Sequence, residues 1–123
     1  MRIVLTCMAM VMTALQGTAV QERRVVRIVA ERFSFSPSRI DLTVGEEVEL
    51  FVKSDDTSHG MRIAGTAIDS AIPKRGSGEL RFIVKFDKPG RYAFECSRMC
   101  GAGHDFMRGE LVDRPPSTAA ARP

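Results

Sequence analysis

An all-β fold, a sandwich with Greek-key connections, is what this sequence predicts, and three observations carry the expectation. Apolar residues recur at every second position over several short stretches, the spacing of strands that bury one face. Clusters of Gly, Pro and Asp separate those stretches. No amphipathic helix and no internal repeat interrupts them. Short strands joined by turns pack as an antiparallel sandwich, with loops gathered at its ends.

The elements follow in chain order. Met1-Arg2 precedes an apolar run from Ile3 to Leu15, with small residues Gly17 and Ala19 placed for cleavage, so residues 1–19 read as a secretory signal peptide. The rival is an N-terminal anchor with the domain outside the membrane. The run is shorter than the ~20 residues a span needs, and it contains Thr6 and Thr13. Cys7 inside it reads as an ordinary apolar residue. Val25 to Phe33, half apolar and β-branched, is the first expected strand; Ile40, Leu42 and Val44 mark the second. Gly45-Glu46 turns the chain into Val48, Leu50 and Val52. Met61 and Ile63 make a short strand, and Leu80, Phe82, Val84 and Phe86 share one face of a longer one. Asp87-Lys88-Pro89-Gly90 is a turn by its Pro and Gly chemistry, after which Tyr92, Phe94 and Cys96 alternate inward. Arg108 to Asp113 is the last strand. The domain is therefore expected over residues 25–113, with residues 114–123, rich in Pro, Ala and Ser, as a disordered tail.

A chain of 123 residues with this layout has room for one modest core and not for a second, catalytic domain. Its net charge of +3 comes without a Lys/Arg block or interleaved aromatics, so nucleic acid is not an expected partner.

The chemistry is concentrated in Cys96-Ser97-Arg98-Met99-Cys100-Gly101-Ala102-Gly103-His104-Asp105-Phe106-Met107. Thiolate, imidazole and thioether are the ligand types that redox-active copper prefers. The other histidine, His59, lies in Asp56-Thr57-Ser58-His59-Gly60, which reads as a polar loop with little reason to be core. A mononuclear blue-copper pattern wants one Cys with His about three residues on, and position 99 is Met99. Two thiolates can instead bridge two copper ions, with one His ending each. Simpler readings stand beside this one. Cys96 and Cys100 could pair as a disulfide in an oxidising compartment, two Cys and two His could hold structural zinc, and Met107 alone is core filling.

Cys-x3-Cys-x3-His-x2-Met with an upstream Asp-x-x-His-Gly resembles the CuA domain of cytochrome c oxidase subunit II, also found at the end of nitrous oxide reductase. The resemblance runs from about Phe33 to Asp113 and includes Lys88-Pro89-Gly90-Arg91-Tyr92 leading into Cys96, a lead-in shared with cupredoxins generally. It implies a cupredoxin-like Greek-key β-sandwich. It further implies Cys96 and Cys100 as bridging thiolates, His59 and His104 as terminal ligands, Met107 as a weak axial ligand, and the Arg98 backbone carbonyl as the remaining one. The cofactor so implied is a pair of copper ions. The family often has Glu where Arg98 stands, a change a carbonyl ligand tolerates. It also often receives electrons through a patch with Trp, which this chain lacks.

The implied role is single-electron relay, not catalysis by this chain alone, either as a subunit of an oxidase or as a free carrier. Implied partners are a redox protein such as a c-type cytochrome or an oxidase core, and a copper chaperone for loading. The implied location is the periplasm or outside the cell. A copper carrier or storage protein using the same ligands is the alternative.

Overall fold

A computed structural model describes residues 22–116 together with residues 14, 16 and 17. Most of residues 1–19, with Cys7, and residues 117–123 fall outside this description, so the expected signal peptide or anchor and most of the expected tail do too. Among the described residues, no helix is long and apolar enough to cross a membrane.

The strands are β1 (Arg24–Glu31), β2 (Ser34–Ser36), β3 (Arg39–Thr43), β4 (Val48–Ser54), β5 (His59–Ile63), β6 (Asp69–Ile72), β7 (Leu80–Val84), β8 (Gly90–Glu95) and β9 (Arg108–Arg114), with a 3-10 turn at His104–Phe106. They form a four-stranded sheet in the order β2-β1-β4-β7 and a five-stranded sheet in the order β3-β9-β8-β5-β6. The all-β sandwich expected from the period-two pattern is therefore present. The expected antiparallel pairing holds for five of the strand pairs and fails for two: β1 runs parallel to β4, with Arg24 opposite Val48, and β3 runs parallel to β9, with Arg39 opposite Glu110. The chain leaves the first sheet for β3 and returns to it as β4, so these neighbours are joined by crossovers, and a tight hairpin is what makes neighbours antiparallel.

Alternation explains the core. Ile28 and Ala30 from β1, Leu50 and Val52 from β4, and Met61 and Ile63 from β5 turn inward and are almost fully buried. Phe35 meets Phe94 edge to face across the two sheets, ring centres 5.2 Å apart. Gly109 lies under the Phe94 ring and against the Ser38 carbonyl, where a Cβ would collide with both. The expected first strand ends two residues early: β1 stops at Glu31, Arg32 and Phe33 turn, and a further strand, β2, returns antiparallel to β1 with Ala30 opposite Phe35. The expected strand to Phe86 ends at Val84, although Phe86 stays buried and stacks on Tyr92 with centroids 3.8 Å apart. Tyr92 Oη donates to the Lys88 carbonyl at 2.6 Å, closing the Asp87–Gly90 turn.

One core residue works against the fold. Asp113 on β9 is buried, neither carboxylate oxygen has a hydrogen-bond partner among the described residues, and burial followed by the Glu46 charge pushes its carboxyl above the ordinary 3.8. A carboxyl raised on folding costs stability above its folded pKa, and that cost disappears as pH falls towards the unfolded value. Asp113→Asn is expected to raise the melting temperature at pH 7 and to give no gain near pH 4. Melts at the two pH values check this, and equal melting temperatures at pH 7 would refute it.

Candidate metal centre

All the sequence-predicted ligands sit at one end of the five-stranded sheet. His59 is the first residue of β5, Cys96 follows β8, and Met107 precedes β9. The Cys96 N–H donates to the Met107 carbonyl at 3.0 Å, so the loop between them is pinned where it leaves and re-enters the sheet.

His59 is prepared by the turn that ends β4. The Asp56 N–H donates to Ser54 Oγ at 3.1 Å, and the Thr57 N–H donates back to Asp56 Oδ1 at 2.7 Å. That carboxylate lies 2.7 Å from His59 Nε2, while its other oxygen accepts the Arg32 N–H at 2.8 Å. Desolvation opposes ionisation of Asp56, but the Arg32 N–H, His59 and Thr57 N–H outweigh it and hold the carboxyl down at about 2. With the proton on Nε2 directed at Asp56, His59 presents a bare Nδ1 lone pair. That nitrogen lies 3.9 Å from Cys96 Sγ. His59 is 0% exposed, contrary to the expectation of a solvated loop. The ring can be buried because Asp56 satisfies its outward nitrogen.

The second half is built from the loop. Cys96 Sγ and Cys100 Sγ stand 3.8 Å apart, against about 2.05 Å for a disulfide bond, so both are free thiols. Cys100 Sγ lies 3.8 Å from His104 Nδ1 and 3.9 Å from Met107 Sδ. Cys96 Sγ faces the Arg98 carbonyl at 3.1 Å, while the Arg98 side chain turns away to pair with Asp69 at 3.3 Å. Both cysteines and Met107 are buried and His104 is half-buried. Burial, then the neighbouring Cys96 thiol, pushes the Cys100 thiol up to about 11. A metal binding there displaces the thiol proton. The loop reaches this shape only with small residues. A Cβ on Gly60 would strike the Ser97 hydroxyl and come within 2.8 Å of Arg98 Cγ, and Gly101 sits at φ +144°.

The arrangement is two-ended. His59 sits beside Cys96 and His104 beside Cys100. The ligand atoms of His59, Cys96 and Cys100 lie within 4.8 Å of one another, and His104 falls outside that set. The thiol, imidazole and thioether donors are soft to intermediate, the set that suits copper. Asp56, which orients His59, was part of the Asp-x-x-His-Gly pattern without a role assigned to it. Arg32 and Phe33, which also touch the site, carry no sequence pattern that marks them.

Residues 3–112 match the cupredoxin-like domain. The chain belongs to the cupredoxin-like family. This cupredoxin-like domain is homologous to cytochrome c oxidase subunit 2 of Thermus thermophilus, 31% identical over 87 residues that cover 71% of this chain and 63% of that protein. It therefore spans less than two-thirds of that relative's length. It is also homologous to nitrous-oxide reductase of Ralstonia nicotianae, 30% identical over 91 residues, 71% of this chain and 14% of that one. Among solved structures, a heme-copper terminal oxidase dimer contains a chain that superposes with a TM-score of 0.67 at 27% identity, over 89% of this chain and 78% of that one. The periplasmic domain of subunit II of cytochrome oxidase from Bradyrhizobium japonicum shares the fold, with a TM-score of 0.68 at 11% identity, over 80% of this chain and 88% of that domain.

Proposed function

We propose that this cupredoxin-like domain binds two copper ions in a CuA-type centre and relays single electrons. The observation that carries the reading is the pair of thiols 3.8 Å apart with an imidazole nitrogen at each end, 3.9 Å from Cys96 and 3.8 Å from Cys100. A single four-coordinate zinc holds its ligands at ~2.0–2.3 Å and would draw both histidines to one point. Here they flank opposite thiols, which suits two ions sharing the sulfur pair. Met107 Sδ and the Arg98 carbonyl, near Cys100 and Cys96 respectively, add one weak donor to each half.

Copper held by shared thiolates supplies reversible one-electron uptake. The chain's part is to keep the ligands still and the site dry, so that little rearranges as charge arrives. Cys96, Cys100, Met107 and His59 are buried, and only His104 approaches the surface. That makes His104 the route by which electrons reach or leave the centre. Nothing in this reading makes the chain an enzyme by itself; it delivers electrons to an oxidase-type core or carries them as a free protein. The location this reading implies is the periplasm or outside the cell, supported by the apolar run from Ile3 to Leu15 that reads as a signal peptide, and a chaperone would supply the copper there.

The ligand loop exposes two large apolar side chains, Met99 beside Cys100 at 79% and Phe106 two residues after His104 at 83%, in a chain without Trp. Of the arginines nearest the ligands, Arg62 pairs with Glu95 at 2.6 Å and Arg98 with Asp69 at 3.3 Å, while Arg32 and Arg108 form no ion pair among the described residues, so this end of the domain offers no acidic face to a basic partner. The donor, a c-type cytochrome or similar redox protein, thus docks by apolar contact. With a basic c-type cytochrome, the electron-transfer rate is expected to change little with ionic strength and to drop in Phe106→Ala. A steep fall of the rate with salt would contradict apolar docking.

The test of the reading itself is copper content together with the electron paramagnetic resonance spectrum of the copper-loaded chain. Two coppers per chain sharing one delocalised spin support it. One localised copper, or copper readily surrendered to an acceptor during redox cycling, overturns it in favour of a mononuclear site or a copper carrier.

A further inference from the structure

The ligands all come from the five-stranded sheet, yet both halves of the centre are held by one turn of the other sheet. That turn is Arg32–Phe33, between β1 and β2. Its first arm is the Arg32 backbone N–H, which donates to Asp56 Oδ2 at 2.8 Å and so helps to hold the carboxylate that orients His59. Its second arm is the Arg32 side chain, whose Nε donates to the Cys100 carbonyl at 2.9 Å across 68 residues of chain. Its third arm is the Phe33 ring, which lies flush on the loop's glycines. A Cβ on Gly101 would come 3.0 Å from the ring, and one on Gly103 would overlap it.

The turn itself is firmly based. β1 is paired along its length with β4, and the Asp55 N–H donates to the Ala30 carbonyl at 3.0 Å. The loop it touches is the opposite case. Gly101-Ala102-Gly103 lies between two ligands, and glycine gives up more backbone freedom on ordering than any other residue. Something outside the loop must order it. Within 4.0 Å of the Arg32 side-chain nitrogens there is no carboxylate among the described residues to compete for the guanidinium, so its hydrogen bond goes to the ligand loop.

We propose that the Arg32–Phe33 turn is a clamp that sets the spacing between the His59–Cys96 half and the Cys100–His104 half of the centre, with Arg32 as a positioning residue for Cys100. Its role in electron transfer rests on the copper reading above; the clamp itself does not. Cutting one arm frees one half only, so the loss is an asymmetry between halves and not a collapse of the fold.

The first measurement is amide hydrogen exchange in the metal-free chain, on Arg32→Met, Arg32→Lys, Phe33→Ala and the milder Phe33→Leu. Arg32→Met, which loses one charged hydrogen bond, is expected to speed exchange at residues 100–104 by about tenfold, and Phe33→Ala, which loses the ring's packing on the glycines, to speed it as well, with β1 and β4 unchanged. Arg32→Lys restores slow exchange. The second measurement is the spin resonance spectrum and reduction potential of the copper-loaded variants. Arg32→Met makes the two coppers unequal and moves the potential, and Arg32→Lys recovers both. Unchanged exchange at residues 100–104 in Arg32→Met and in whichever Phe33 variant folds overturns the clamp. Faster exchange in variants whose parent binds no copper upholds the clamp and sinks only the electron-relay reading.

Discussion

Cys100→Ser is expected to bind no more than one copper per chain and to lose any spin shared between two. Cys100 Sγ is the junction of its half of the centre, 3.8 Å from Cys96 Sγ, 3.8 Å from His104 Nδ1 and 3.9 Å from Met107 Sδ. A serine hydroxyl is a hard donor that stays protonated, and it cannot replace a bridging thiolate for a soft metal. The sheet bearing Cys96 and His59 is untouched, so one copper with a localised spin can remain on that side. The fold should survive, because Ser is nearly the size of Cys and the site lies in a loop between β8 and β9. Elemental analysis and spin resonance of the loaded variant check the result. Two coppers with a delocalised spin in Cys100→Ser would refute thiolate bridging outright.

Legibility in the sequence followed the scale of the signal. β4 was readable because Val48, Leu50 and Val52 repeat the same choice, all three fully buried in the structure. β2 and β6 were not, since Ser34–Ser36 and Asp69–Ile72 each commit only one apolar side chain, Phe35 and Ile72, to the core. A period needs at least two repeats to be seen. Parallel pairing was equally invisible, because the partner of β1 is chosen by where the chain crosses between sheets and not by anything local to Arg24–Glu31. The four donors between Cys96 and Met107 could be found because they crowd into twelve positions. His59 was found but misplaced: its polar neighbours suggested solvent, whereas Asp56 and Ser54 spend their polarity on each other, on Thr57 and on the ring, which lets it be buried. Arg32 had no signal. Its bond to the Cys100 backbone joins an ordinary surface residue type to a group that every residue carries.

Asp56→Ala is expected to weaken copper binding by about 10–100-fold, the usual cost of removing the partner that orients a metal-binding histidine. The carboxylate it removes serves three nitrogens at once, His59 Nε2 at 2.7 Å, the Thr57 N–H at 2.7 Å and the Arg32 N–H at 2.8 Å. With Ala, His59 keeps a buried nitrogen with no acceptor, and either ring nitrogen can carry the proton. Whenever the proton sits on Nδ1, the lone pair that faces Cys96 is lost. Leaving such groups unpaired also costs stability, about 1–3 kcal/mol. Asp56→Asn retains an acceptor without the charge and is expected to fall between Ala and the native residue on both counts. Because folding lowers the Asp56 pKa from 3.8 to about 2, its stabilising contribution is fully present above 3.8 and is lost as pH falls through 2. The stability gap between the native chain and Asp56→Asn should therefore be constant from pH 5 upward and shrink between about pH 4 and 2. Competitive copper titration and acid unfolding measure the two effects separately. Native copper affinity in Asp56→Ala would mean that packing alone aims His59, and the carboxylate would then serve only the turn after β4.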